Sequence, residues 1–223
     1  MYLFILSPPR HGSTILYKLL WTSPNVSTLF GASTWAGEGQ FVPAASRYFP
    51  KDRWDSGAKM NWPGIRAAWH RAWDMSKPIL CEKTPSNICR AREMGEFFSK
   101  FAPVYFICLI RSPYSRRDAG RWIIGAKYQR ENMQNLENVF NLKYEDMVGD
   151  LPGTIDRLLG FLPKLKQLDG GVTRVPGLDD SKRNLPIQNM VAKFTTEQIR
   201  RRDVALKSHR DLIEFFGYEF RNV

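Results

Sequence analysis

Four short segments of this chain carry residue types able to do chemistry on a charged group. The first, Ser7-Pro8-Pro9-Arg10-His11-Gly12-Ser13-Thr14, lies between an apolar run at Tyr2–Leu6 and a helical pattern that starts at Ser13. A loop in that place turns main-chain N–H groups and a helix N-terminus toward an anion, and Gly12 lets the anion approach the backbone closely. Arg10 adds a fixed positive charge, and Ser13 and Thr14 add hydroxyl donors. A tight Pro/Gly turn that only starts a helix has the same composition. A nucleoside-triphosphate loop of the GxxxxGK[ST] type needs Gly at position 7 and Lys at position 13. Both positions are Ser here, which argues against ATP or GTP. The second segment is Arg111-Ser112-Pro113, after the apolar run Val104–Ile110; an Arg at a strand end either binds an anion or serves the architecture. The third and fourth, Gly37-Glu38-Gly39-Gln40-Phe41 and Cys81-Glu82-Lys83-Thr84-Pro85-Ser86-Asn87, hold carboxylates and a lysine.

Positioning these segments needs a scaffold, and the hydrophobic pattern supplies one. Tyr2–Leu6 predicts a strand, followed by a tight loop and a helix. Residues 30–77 are rich in Trp, Gly and Pro with weak periodicity, which predicts loops and short helices with one longer helix near Trp62–Met75. Ile79–Cys81 predicts a second strand, and Arg90–Phe101 a helix with Met94, Phe97 and Phe98 on one face. The continuous run Val104–Ile110 has the mark of a strand buried on both faces of a parallel sheet. Ser115–Tyr128 reads as a helix, Val139–Tyr144 as a strand, and Gly153–Leu162 as a helix with an apolar stripe at Ile155, Leu158, Leu159 and Leu162. Lys164–Asn189 reads as a long surface loop, of a length that is usually functional or mobile. Thr195 or Thr196, with Glu197 or Gln198, resembles a capping box opening a last helix toward Phe216, stopped by Gly217. The Arg200-Arg201-Arg202 run in that helix reads as a solvated face. The alternation predicts an α/β fold with a central, mainly parallel sheet flanked by helices.

The first loop fits P-[KR]-x-G-[ST]-T-x-L through Pro9, Arg10, Gly12, Ser13, Thr14 and Leu16. It resembles the 5′-phosphosulfate loop of sulfotransferases that use 3′-phosphoadenosine-5′-phosphosulfate (PAPS). Ile107–Pro113 resembles the second signature of that family, and Asn141–Met147, with Tyr144-Glu145-Asp146, resembles its downstream YEDL segment. The resemblance implies a P-loop nucleotide-hydrolase-like three-layer sandwich, one domain spanning 1–223, with PAPS as donor. It assigns Arg10, His11, Gly12, Ser13 and Thr14 to the 5′-phosphosulfate and Arg111 to the 3′-phosphate. The family serine eight residues after that Arg is Ala119 here; Ser115, Arg116 or Arg117 is the expected replacement. Lys182 and Arg183, in the long loop, suit a phosphate. Tyr144, Glu145 and Asp146 are expected to hold a strand end and cap a helix.

Among the branches of the family, the Glu38 and Lys83 segments resemble the Golgi-type and bacterial carbohydrate enzymes. That likeness implies Glu38 as the base, with Glu82 as its runner-up, and Lys83 as a cation beside the transferred group. Glu38 also reads as an ordinary exposed carboxylate in a Gly-rich loop. Cytosolic aryl and steroid sulfotransferases typically use a His, but His11 lies in the donor loop and His70 in a Trp-rich helix where packing is the expected outcome. Trp35, Trp54, Trp62, Trp69 and Trp73 are expected to contribute to an acceptor pocket, with several of them in the core.

Composition narrows the alternatives. The chain has 223 residues, 43% hydrophobic and 13% aromatic, which excludes disorder as the main state. A formal charge of +11 calls for an anionic partner; no Lys/Arg block reads as a nucleic-acid tail. Three cysteines without a CxxC spacing suggest neither a disulfide framework nor a metal site, so a reducing, cytoplasmic setting is expected. No apolar run approaches the roughly 18–20 residues of a membrane span. The opening at a strand, with no signal peptide or anchor, resembles free-standing bacterial or viral versions of the family, or a trimmed chain. The expected partners are the nucleotide donor and a small-molecule or carbohydrate acceptor, with no nucleic acid and no membrane. The competing readings are a P-loop kinase of a small hydroxyl acceptor and a non-catalytic nucleotide- or polyanion-binding protein.

Overall fold

The computed structural model describes residues 1–33, 36–115, 119–171 and 195–221. Five parallel strands form one sheet in the order β2-β3-β1-β4-β5: β1 (Tyr2–Leu6), β2 (Val26–Ser27), β3 (Ile79–Glu82), β4 (Val104–Ile110) and β5 (Val139–Lys143). Phe4 pairs with Glu82 on one side and Phe106 on the other, so β1 is central. Its residues are all buried, because the sheet is covered on both faces. Tyr2, Phe4 and Leu6 share a core with α3 (Trp62–Ala72) and α4 (Ala91–Phe98). Leu3 and Ile5 instead meet α1 (Ser13–Trp21) and α7 (Leu151–Phe161). The predicted parallel sheet between helical layers is what the chain forms.

The remaining helices are α2 (Pro43–Ser46), α5 (Ala119–Asn135), α6 (Tyr144–Gly149), α8 (Thr196–Lys207) and α9 (Arg210–Phe215). Local chemistry starts several of them. Asn61 accepts from the Gly64 N–H at 2.9 Å to open α3, and Asp150 accepts from Gly153 at 2.9 Å to open α7, each with Pro in the first turn. Thr195 and Gln198 form the expected capping box.

Several expectations are corrected. The last helix is two, broken at Ser208–His209, and the break lets Leu212, Ile213 and Phe216 join a third core with Trp122 of α5. Gly217 stops it at φ +63° as expected. The helix from Trp62 ends at Ala72, because Trp73 is extended and the Asp74 N–H is drawn to Ser27 Oγ at 2.7 Å. The two-residue β2 is too short to leave a periodicity. Arg202 is buried, with a guanidinium N–H donated to the Pro113 carbonyl, while Arg200 and Arg201 are exposed. Trp62, Trp69 and Trp73 are core residues rather than pocket walls: they stack around Tyr2, Phe4 and Phe98. Trp54 is exposed, and Trp35 lies outside the described residues. No described helix is long and apolar enough to cross a membrane.

Candidate active site

Parallel topology brings every strand's carboxyl end to one edge of the sheet, and ligands of open α/β sheets bind beyond that edge where strand order reverses. The loop after β1 folds back on itself, with the His11 N–H bonded to the Pro8 carbonyl at 3.3 Å. Arg10 sits at the exposed tip with φ +68°, a left-handed conformation uncommon for a residue with a side chain. Gly12 caps α1 at φ +100°, and a Cβ there would lie 2.2 Å from the Tyr144 ring. Only Gly fits on both counts. The Ser13 and Thr14 N–H groups, in the first turn of α1, have no carbonyl within the helix to bond. From below, α5 supports the loop: Gly125 admits Pro8, and Gln129 donates to the carbonyls of Leu6 and Leu109 at 2.7 and 3.0 Å, tying β1 to β4.

Arg111 follows β4 and is 3% exposed. Its main-chain N–H donates to Nδ1 of His11 at 3.2 Å, which joins the two loops. Its guanidinium lies 4.2 Å over the Tyr144 ring, so one aromatic side chain packs against both Gly12 and Arg111. Nε and Nη2 of Arg111 are buried and have no hydrogen-bond partner among the described residues. A guanidinium drawn out of water is costly unless an anion completes it. The turn after it is braced: Glu145 accepts from the Ser112 N–H and from Tyr218, each at 2.9 Å, and Tyr114 donates to Asp203 of α8. Ser115 lies in this turn with its hydroxyl donated to Ser112 O at 2.7 Å; Ala119 opens α5. Arg116, Arg117, Lys182 and Arg183 lie outside the described residues.

The third group is built on β3 and the loop after β2. Lys83 Nζ is 3.0 Å from Glu38 Oε1 and 3.4 Å from Thr14 Oγ1, which joins this group to the α1 loop. Both side chains of the ion pair are largely withdrawn from water. Glu82, fully enclosed, accepts from Gly39 N at 2.9 Å, from Asn87 Nδ2 at 2.9 Å and from the Thr84 hydroxyl. Burial raises its carboxyl to about 7, against the pull of these donors and of Lys83. Gly39 is held from its other side by Trp69, whose indole donates to Gly39 O at 3.1 Å. Gln40 donates to Glu38 Oε2 at 2.7 Å. Glu38 is thus a buried partner in an ion pair, not an exposed loop carboxylate. His70 packs as expected, against Tyr2 with a 2.8 Å hydrogen bond.

Reading the sequence alone missed Gln40, Gln129 and the twofold contact of Tyr144. Neither glutamine carries a sequence signal, since each acts through partners far away in the chain. Tyr144 stands in the YEDL-like segment, which points to its place but not its contacts.

No family model matches the chain, and no curated protein matches it. Among solved structures, a sulfotransferase from Alicyclobacillus acidocaldarius superposes with a TM-score of 0.59 over 97% of this chain and 96% of that one, at 11% identity. The sulfotransferase domain of the curacin biosynthetic pathway covers 98% of both chains at 17% identity, with a TM-score of 0.49. A retinol dehydratase in complex with androsterone and PAP covers 95% of this chain and 69% of that one at 14% identity, with a TM-score of 0.39. The first of these likenesses shows the architecture: the chain has the sulfotransferase fold. It carries the fold and no residue's role.

Proposed function

We propose that this protein is a PAPS-dependent sulfotransferase of the Golgi-type and bacterial carbohydrate branch, with residues 1–223 as one domain. The observation that carries the reading is Arg111, a buried guanidinium with two nitrogens unpartnered among the described residues, joined through His11 to a phosphate-type loop. An unpartnered guanidinium beside a phosphate-type loop suits a donor with phosphate at both the 3′ and 5′ positions. Arg111 takes the 3′-phosphate. The first turn of α1, with Arg10, His11, Gly12, Ser13 and Thr14, takes the 5′-phosphosulfate. Lys182 and Arg183, and Ser115 in place of the family serine, are assigned to the donor by the family resemblance alone.

The acceptor oxygen or nitrogen attacks sulfur in line with the bond from sulfur to the bridging oxygen of the 5′-phosphate. That bond breaks as the new one forms, and adenosine 3′,5′-bisphosphate (PAP) leaves. Glu38 takes the acceptor's proton, while Lys83 and Arg10 offset the negative charge on the sulfuryl and bridging oxygens. The proximity of Lys83 to both Glu38 and Thr14 supports this division of roles. The acceptor is a small molecule or a carbohydrate bearing a hydroxyl or amine.

Thermal denaturation with PAP, with ATP plus magnesium, and with heparin tests the reading. Stabilisation by PAP alone is expected, at about 2.7 kcal/mol when PAP is present at a hundred times its Kd. Arg111→Ala is expected to lose at least tenfold in PAP affinity, since each charge-assisted bond is worth about 1.5–3 kcal/mol. A folded Arg111→Ala protein with unchanged PAP affinity removes the assignment, and stabilisation by heparin alone favours a polyanion-binding protein.

A further inference from the structure

Gln40 sits at the middle of the short 3-10 turn Gly39–Phe41, is 6% exposed, and has every polar atom engaged. Its N–H donates to Thr84 Oγ1 at 3.1 Å, and its carbonyl accepts from Arg53 at 3.2 Å. The side-chain oxygen accepts from the Ser86 hydroxyl at 3.2 Å, which leaves Nε2 to face Glu38 Oε2 at 2.7 Å. With the oxygen end of the amide taken by a donor, the nitrogen end is the one presented to the carboxylate. Ser86 and Thr84 both lie just beyond Lys83, so one short segment supplies the cation, the anchor of the Gln40 side-chain amide and the anchor of its main-chain N–H.

We infer that Gln40 is the positioning residue for Glu38, holding its carboxylate in place when Lys83 turns to the donor. This rests on the reading of Glu38 as base. Glu38 has two side-chain partners among the described residues, Lys83 on Oε1 and Gln40 on Oε2. In the proposed reaction Lys83 has a second claim on it, the sulfuryl and bridging oxygens. As Lys83 answers that claim, Gln40 becomes the remaining donor that fixes the Glu38 torsions. A carboxylate has about four lone-pair sites, so holding Oε2 through one of them leaves others to receive the proton. Among the described residues, the charged and titratable groups around this pair include Lys83, Glu82 behind Gly39, and Arg53 on the Gln40 carbonyl.

A double-mutant cycle on the full chain tests the inference, with water as acceptor and labelled PAPS as donor, hydrolysed to PAP and sulfate under single-turnover conditions. Gln40→Met keeps the volume and removes the donor. It is expected to slow hydrolysis of bound PAPS at least tenfold, the loss of a hydrogen bond to a charged group, with PAP affinity within about twofold of wild type. Placed in the Glu38→Gln background, Gln40→Met is expected to change nothing further, because it acts only through Glu38. Hydrolysis near the wild-type rate in Gln40→Met, or an equal further loss in the Glu38→Gln background, overturns the inference. If Gln40→Met does not fold, Ser86→Ala, which frees the amide while leaving it present, goes through the same cycle with the same criteria at a threshold of about threefold. Glu38→Gln alone separates the two claims: wild-type hydrolysis in that variant overturns the base reading and Gln40 with it, whereas a slow Glu38→Gln beside an unaffected Gln40→Met overturns Gln40 only.

Discussion

A carboxylate enclosed by protein reports its surroundings through pH, and among the described residues Glu82 is the carboxylate raised by burial. Its folded value of about 7 lies above the ordinary value of 4.5, with burial as the main cause. Folding therefore favours the protonated form. The penalty for ionised Glu82 is absent below about pH 4.5, grows as pH rises, and is complete above about 7. Glu82→Gln removes it, and Asn87 Oδ1, buried without a partner among the described residues, can accept from the new amide after a flip. The difference in unfolding free energy between variant and wild type is expected to move in favour of the variant by on the order of 3 kcal/mol between pH 4.5 and 8. Urea unfolding at several pH values measures it. A difference independent of pH means that Glu82 stays protonated or is better paired than its contacts indicate.

Helices here act on the site through their ends and their grips. α8 begins with a capping box and, about two turns in, presses Arg202 onto the Pro113 carbonyl and Asp203 onto the Tyr114 hydroxyl. These bonds close on the turn that follows Arg111, which Glu145 also braces with Tyr218. Thr195→Ala removes the cap, worth about 1 kcal/mol, and is expected to raise amide exchange across Thr196–Lys207 while leaving that of β1 and β4 unchanged. Hydrogen exchange followed by mass spectrometry reads this segment by segment. Unchanged exchange in α8 shows that its grip on the Arg111 turn, not its cap, holds it. α1 starts without such a cap: Gly12 brings no side chain to its first N–H groups, and only its carbonyl bonds the helix, accepting from the Ile15 and Leu16 N–H groups at 2.9 and 3.2 Å.

Across the whole molecule, a charge of +11 creates a field that acts on the polyanionic nucleotide proposed above before it reaches the candidate site. Salt screens such a field, with a Debye length of about 10 Å at 0.1 M. The association rate of PAP, followed by intrinsic tryptophan fluorescence in stopped flow, is expected to fall several-fold between about 0.05 and 0.5 M NaCl, with a smaller change in the dissociation rate. An association rate indifferent to salt places the excess charge away from the route of entry. The sheet supplies the rigid frame for this encounter, since β1 and β4 are buried along nearly their whole length and joined at their ends by Gln129.

What the sequence determined by itself is what contiguity can encode. The unit of β1, loop and α1 is legible because its parts are neighbours in the chain, and Arg111 is legible because it directly ends an apolar run of the length of a buried strand. The α/β class follows from alternating periods, which local side-chain spacing imposes. Tertiary structure decided the pairings: Glu38 with Lys83 across 45 residues, and the Arg111 N–H with His11 across 100. No local pattern records those distances, because parallel strands meet only through crossovers that the chain must complete first. The tryptophans show the same limit from another side. A Trp-rich segment has one composition whether it lines a pocket or fills a core, and only packing α3 on the β1 face sent Trp62, Trp69 and Trp73 inward. Gln40 is the sharpest case: a single polar residue in a short turn acquires its place beside Glu38 from partners at positions 38, 53, 84 and 86, which the fold alone assembles.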